Sequence, residues 1–225
     1  MATQKIKLNP LALRPDPAGP KRSLLRYFGG KWAIAPWVMQ HLPADHRVYV
    51  EPFGGAASVL LRKPRSKIEV YNDLDEEIVG IFSIVQDPVQ CATLIRRLRR
   101  TPYSRCDFER AFQATTDPIV RAQRAIIRCF MAFHHGSLFD PKKRTFADAR
   151  HKASYSKSHE WATYPRHLVA IQKRLSGVII ERRDALDVMR AQDSPDTLFF
   201  VDPPYEPSTR SDTGYRYELN EAQHM

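Results

Sequence analysis

The 225-residue chain reads as an α/β protein, a parallel sheet with helices on both faces and an inserted, mostly helical basic region. Three observations carry this reading. Four short apolar runs (47–51, 67–71, 177–181 and 198–201) are continuous rather than alternating, as strands covered on both faces are. Segments with apolar residues at helical spacing lie between them, the order that builds a parallel sheet. The first run enters a glycine-rich turn, Pro52-Phe53-Gly54-Gly55-Ala56-Ala57-Ser58, a frequent opening of a nucleotide-binding unit.

Composition narrows the class. Hydrophobic residues make up 43% and charged residues 27%, ordinary values for a soluble globular protein. No apolar run approaches a membrane span, and the N-terminus lacks the pattern of a secretory signal, so no membrane partner is expected. Cys91, Cys106 and Cys129 match neither a disulfide framework nor a zinc site, which points to a reducing cytoplasm and no metal. Residues 91–157 hold 15 Lys/Arg and 5 Asp/Glu, so the whole net charge of +10 sits in this middle segment. A basic field so concentrated suits a polyanionic partner.

Residues 1–22, with Pro10, Pro15, Pro17 and Pro20, read as a mobile tail. Tyr27-Phe28-Gly29-Gly30-Lys31 follows, then a predicted helix from about Trp32 to Leu42. The paired glycines allow close backbone approach, and Lys31 near a helix start could meet an anion. It is not a nucleotide P-loop, because the first glycine and the Ser/Thr after the lysine are missing. The turn at Gly54-Gly55 departs from the dinucleotide fingerprint, and Glu51 at the strand end would repel a pyrophosphate. A cationic cofactor without phosphates fits better, with a short helix expected over Val59-Leu60-Leu61-Arg62.

The second strand ends in Asn72-Asp73. Asp73 stands where such units place a ribose-binding acid, but Asn72 or Asp73 would equally cap the helix carrying Leu74, Ile78, Ile81, Phe82 and Val85. Arg96, Arg97, Arg99 and Arg100 open the basic region on a helix. Asp117-Pro118 starts another, with Ile119, Ala122, Ile126, Ile127, Phe130 and Phe133 on one face and Arg121, Arg124 and Arg128 on the other. Periodicity fades from His134 to Tyr164 into a loop region with Lys142, Lys143 and Arg144, and returns with a helix from about Arg166. Asp184 reads as the N-cap of a short helix. The fourth strand stops at Asp202-Pro203-Pro204-Tyr205, where prolines cannot continue a ladder.

Glu51, Asp73, Asp184 and Asp202 therefore lie at or just past four strand ends. Around a glycine turn they would line a cleft for a cation bearing hydroxyls and an amino-substituted ring, as in S-adenosylmethionine. Together with Tyr27-Phe28-Gly29-Gly30-Lys31, Val50-Glu51-Pro52-Phe53-Gly54-Gly55-Ala56, Asn72-Asp73 and Asp202-Pro203-Pro204-Tyr205, the chain resembles the DNA adenine-N6 methyltransferases. The order matches the group that runs lysine motif, glycine motif, target-recognition region, Asp-Pro-Pro-Tyr. The resemblance implies a Rossmann-like S-adenosylmethionine-dependent methyltransferase domain from residues 23–90 and 166–225, with 91–165 as the inserted target-recognition region on double-stranded DNA. It places Tyr27, Gly30 and Lys31 at the methionine end of the cofactor, Glu51, Phe53, Gly54 and Gly55 along the turn, Asp73 on the ribose and Asp184 near the adenine.

Asp202 and the Pro203 carbonyl would each accept one hydrogen of the target amino group, with Pro204 stiffening the loop and Tyr205 stacking on a flipped base. Arg121, Arg124, Arg128, Lys142, Lys143 and Arg144 are the expected DNA contacts. Complete members have further strands after Asp-Pro-Pro-Tyr, so the chain is expected to be a truncated form with weak or no activity alone, and a complete one a monomer. A catalytically silent DNA-binding fragment and an RNA or cytosine-N4 enzyme are the competing readings. A restriction endonuclease of the same system, phage self-protection and epigenetic marking are all compatible with this chemistry.

Overall fold

The computed structural model describes residues 12–26, 29–133, 145–148 and 154–205, apart from the side chains of 154–156. Four strands, β1 (Val48–Glu51), β2 (Ile68–Asn72), β3 (Ile179–Glu181) and β4 (Thr197–Phe199), form one parallel sheet in the order β3-β2-β1-β4. In register, Val50 faces Val70 on one side and Phe199 on the other, and Asn72 faces Glu181. The chain steps outward from β1 to β3 and then returns to the opposite side of β1. Such a reversal opens a crevice past the carboxyl ends of the two strands flanking it, here β1 and β4, where open parallel sheets bind ligands.

The pleat divides the strand side chains between two layers. Tyr49 and Tyr71 join a large cluster with Phe82, Leu94, Phe108, Ile126, Trp161 and Leu168, while Val50 and Val70 pack on the other face with Val188. The first layer is built by α2 (Glu76–Gln86), α3 (Pro88–Arg99), α4 (Arg105–Arg110), α5 (Pro118–Met131) and α6 (Ser154–Leu175). α1 (Ala35–Met39) adds Ala35 and Met39 to the same cluster, and α7 (Ala185–Gln192) supplies Val188 on the opposite face. As far as they are described, the helices of the basic region thus share one core with the sheet. Among the described residues no single helix is long and apolar enough to cross a membrane.

Local chemistry sets the helix starts. Asp117 Oδ1 accepts from the Ile119 and Val120 amides, and Asp184 Oδ1 from those of Leu186 and Asp187, as the sequence predicts. Five expectations are corrected. Residues 12–22, read as part of a mobile tail, pack on the fold: Leu13 is buried in the core and its amide donates to the Leu42 carbonyl at 3.0 Å, as that of Asp16 does to the Arg62 carbonyl at 2.7 Å. The α2 cap is Asp75, not Asn72 or Asp73: its Oδ1 accepts from the Glu77 and Ile78 amides. The helix predicted over 32–42 shrinks to Ala35–Met39.

Residues 59–62 form turns rather than a helix, because Ala57 has φ 50° and the Leu60 amide donates to the Glu51 carboxylate instead of a backbone carbonyl. The helix expected from Arg166 begins at Ser154 and runs through Pro165, across the boundary drawn at 165–166. Trp161, Tyr164, Leu168, Ile171 and Leu175 are all buried along one face, and that packing outweighs the hydrogen bond a proline removes. Helix α4, capped by Ser104, was not anticipated.

Candidate active site

β1 delivers Glu51 into the protein rather than into solvent: it is 1% exposed. Its Oε1 accepts from the Leu60 amide at 2.7 Å and the Tyr49 hydroxyl at 2.8 Å. Burial pushes its carboxyl up to about 7, against these hydrogen bonds and the charges of Lys63 and Arg174. The acid at this strand end therefore organises the turn that follows it.

That turn is moulded on Tyr71. A Cβ on Gly54 would lie 2.1 Å from Tyr71 Cε2, so the ring forbids any side chain there. The Gly54 amide donates to the Asn72 carbonyl at 2.7 Å, and the Tyr71 hydroxyl donates to the Gly55 carbonyl at 2.8 Å. Gly55 adopts φ 46°, and its amide donates to Asp73 Oδ2 at 2.8 Å. Phe53 is half-buried beside it. Asp73 Oδ1 accepts from the Asp75 amide at 2.8 Å, and burial raises its carboxyl above the usual range. Asp73, relieved of helix capping by Asp75, thus fastens the glycine turn to the end of β2.

Asn72, fully buried, ties the end of β2 to two loops: Nδ2 donates to the carbonyls of Pro52 (2.8 Å) and Arg183 (3.0 Å), and Oδ1 accepts from the Arg183 amide. Asp184 stands exposed at the start of α7, one strand beyond Asp73. At about 4.8 Å per strand, the four acid-bearing ends span roughly 14 Å of the sheet's carboxyl edge.

The third component comes from opposite ends of the described chain. Lys31 Nζ lies 2.7 Å from Asp202 Oδ2, donates to the Gly29 carbonyl at 2.8 Å, and sits 5.0 Å from the centroid of the Tyr205 ring. Gly29 has φ 73°, which the glycine permits, and Gly30 is exposed beside it. The Tyr205 hydroxyl reaches Asp202 Oδ1 at 3.4 Å. Burial works to lower the Lys31 ammonium, but the hydrogen bond and charge of Asp202, with Tyr205, prevail and raise its pKa above that of an ordinary lysine. Pro203 and Pro204 are half-buried between Asp202 and the half-exposed Tyr205 ring.

The structure thus brings together Lys31, Asp202 and Tyr205, and separately Glu51, Gly54, Gly55 and Asp73. The direct Lys31–Asp202 pair was missed in the sequence, where the two residues are 171 positions apart and no local pattern links them. Tyr71 and Tyr49 were also missed as members of the site, since a tyrosine inside an apolar run looks like core alone, and Asn72, quoted with its motif, was given only a capping role.

The arginines of α5 hold internal partners. Arg121 pairs with Glu76 at 3.0 Å, Arg124 donates to the carbonyls of Gln113 and Ala114, and Arg128 joins Glu77 and the Ala111 carbonyl. Arg128 and Glu77 are each only 12% exposed, so this arginine braces α5 against α2. Tyr27, Lys142, Lys143 and Arg144 lie outside the described residues.

A strand-order reversal, a glycine turn clamped by an acid, and a lysine–aspartate pair beside a tyrosine define a candidate group-transfer site. Residues 27–225 match the model of the D12 class N6 adenine-specific DNA methyltransferases, and the chain belongs to that family. It is 28% identical over 106 residues to the DNA adenine methylases of Escherichia coli strain K12 and Escherichia coli O157:H7. That alignment covers 45% of this chain and only 37% of each relative's length.

Proposed function

We propose that this chain transfers a methyl group from S-adenosylmethionine to the N6 amino group of a flipped adenine in double-stranded DNA, on a Rossmann-like sheet. The observation that carries the reading is the meeting of Lys31, Asp202 and Tyr205 at the strand-order reversal, past the end of β4, which pairs with the β1 strand that leads into the glycine turn.

The donor set fits the cofactor. Carboxylates at the ends of β1 and β2 and past β3 suit a cation that also carries hydroxyls, and repel phosphates. Gly55 and Asp73 would flank the ribose, Asp184 the adenine, and Tyr27 with Gly30 and Lys31 the amino-acid end. When bound, S-adenosylmethionine supplies a methyl group on a sulfonium.

The remaining chemistry belongs to the protein. An adenine amino nitrogen is a weak nucleophile, because its lone pair is delocalised into the ring. Asp202 and the Pro203 carbonyl each accept one amino hydrogen, favouring a pyramidal nitrogen with an available lone pair, and Pro204 limits loop reorganisation. Tyr205 offers its half-exposed ring to a base withdrawn from the duplex. Without DNA, the Lys31 ammonium holds the acceptor that the amino group needs, so arrival of the base exchanges one donor to Asp202 for another. Lys142, Lys143 and Arg144, with the exposed Arg96 and Arg99 on α3 and Arg100 just past it, take the phosphates.

The test is transfer of tritiated methyl from S-adenosylmethionine to unmethylated DNA by the chain and by Asp202→Ala. Slow label, below the rates of complete enzymes, is expected with the first and a loss of about a hundredfold or more with the second. DNA binding by both with label from neither would favour the silent DNA-binding reading instead.

A further inference from the structure

Beneath the glycine turn lies a second group of charges that the proposed transfer does not use. Lys63 is fully buried and donates to Glu69 Oε1 at 2.6 Å and to Ser66 Oγ at 2.8 Å. From α6, Arg174 closes a two-pronged pair on the same carboxylate, Nη1 to Oε2 at 2.6 Å and Nη2 to Oε1 at 2.8 Å. Glu69 and Arg174 are 4% and 5% exposed. His46 touches Ser66 Oγ from the side, and burial holds its ring below the usual histidine range, so it adds no positive charge at neutral pH.

Two buried cations therefore face one carboxylate. An unmatched charge in such a place is costly, and a second anion is needed. Glu51 is in position to supply it. Lys63 Nζ lies 4.2 Å from the centroid of the Tyr49 ring, and the hydroxyl of that tyrosine donates to Glu51 Oε1 at 2.8 Å. Burial and Arg174 lower the Lys63 ammonium below the ordinary lysine value, while Glu69 and Glu51 favour its charge; with Lys63 and Arg174 both charged, the cluster is neutral when Glu51 is ionised. Burial pushes Glu51 up to about 7, while the Tyr49 hydroxyl, the Leu60 amide, Lys63 and Arg174 all favour its carboxylate. The charge state of the acid beneath the turn thus hangs on residues outside the cleft.

We propose that Lys63 and Arg174 are positioning residues of the cofactor site, keeping Glu51 a carboxylate anchored on the glycine turn through the Tyr49 ring and hydroxyl. The proposal rests on the reading of this cleft as an S-adenosylmethionine site. Lys63 touches no reacting group; it acts through Glu51, whose charge both orders the turn and attracts a cationic cofactor.

The test is a 13C NMR titration of the Glu51 carboxyl in the full chain, assigned with Glu51→Gln, alongside calorimetric S-adenosylmethionine binding over the same pH range. The free protein is expected to titrate Glu51 near 7. Lys63→Met should move that midpoint up by about one unit or more, and Lys63→Arg should restore it. Cofactor affinity should rise about tenfold as pH passes the midpoint, and the rise should follow the midpoint in each variant. Should Lys63→Met fail to fold, Arg174→Met, which removes the other cation, carries the same comparison, with Arg174→Lys expected to restore the midpoint. A folded Lys63→Met with the original Glu51 midpoint overturns the proposal. A shifted midpoint in proteins that bind no S-adenosylmethionine at any pH overturns the cofactor reading, and the positioning role with it, while leaving the charge coupling as measured.

Discussion

Gly54 is required by Tyr71. The ring fills the space a Cβ would take, at 2.1 Å, and its hydroxyl holds the next carbonyl. Gly54→Ala should destabilise the protein by about 3 kcal/mol in urea unfolding, with part of the loss recovered in Gly54→Ala/Tyr71→Leu. The sequence marked Gly54-Gly55 as the glycine-rich opening of a nucleotide-binding unit and gave no sign of Tyr71, because a motif does not reveal which neighbour excludes a side chain. The cysteines give a second check at this scale. Burial pushes the thiols of Cys91 and Cys129 up to about 11 and about 12, whereas Cys106 is exposed. Near pH 8 a maleimide should therefore label Cys106 alone in the folded protein and all three cysteines after denaturation, read by mass.

At the level of elements, two tasks that the sequence allowed Asp73 to share fall to two neighbouring acids. Asp75 caps α2 and Asp73 clamps the glycine turn. Asp75→Ala should cost about 1 kcal/mol of stability. Asp73→Ala should instead weaken cofactor binding more than it weakens the fold, seen by comparing calorimetric affinity with urea midpoints. The strands and the caps at Asp117 and Asp184 were legible because apolar runs and Asp-Pro or Asp-x-x starts are local signals.

The extent of α6 was not legible: a proline in a polar stretch argues for a break, and only the buried face from Trp161 to Leu175 overrides it. The arginines of α5 show the same limit. Their spacing marked a basic stripe, but charge alone does not say whether the partner is a phosphate or Glu76 and Glu77 on α2. Arg128→Ala should lower stability by about 3 kcal/mol, because it removes a largely buried ion pair that ties α5 to α2.

Over the whole molecule, the fold places the candidate site at the carboxyl edge of the sheet and, among the described residues, the basic helices in the layer packed on one of its faces. The entire excess of +10 lies in residues 91–157, which is legible from composition. Which of those cations reach DNA is a matter of tertiary pairing. With the α5 arginines engaged internally, the proposal shifts phosphate contact toward Lys142, Lys143 and Arg144. Replacing these three with alanine should flatten the dependence of log K on log salt by about 3, with little change in thermal stability.

The central claim, adenine-N6 methylation directed by Asp202, is tested most directly by sequencing unmethylated duplex DNA for modified bases after incubation with the protein and S-adenosylmethionine. The account predicts N6-methyladenine at recurring short sites and its disappearance with Asp202→Ala. Methyl groups on cytosine N4, or on adenine with Asp202→Ala as active as the original chain, would contradict it.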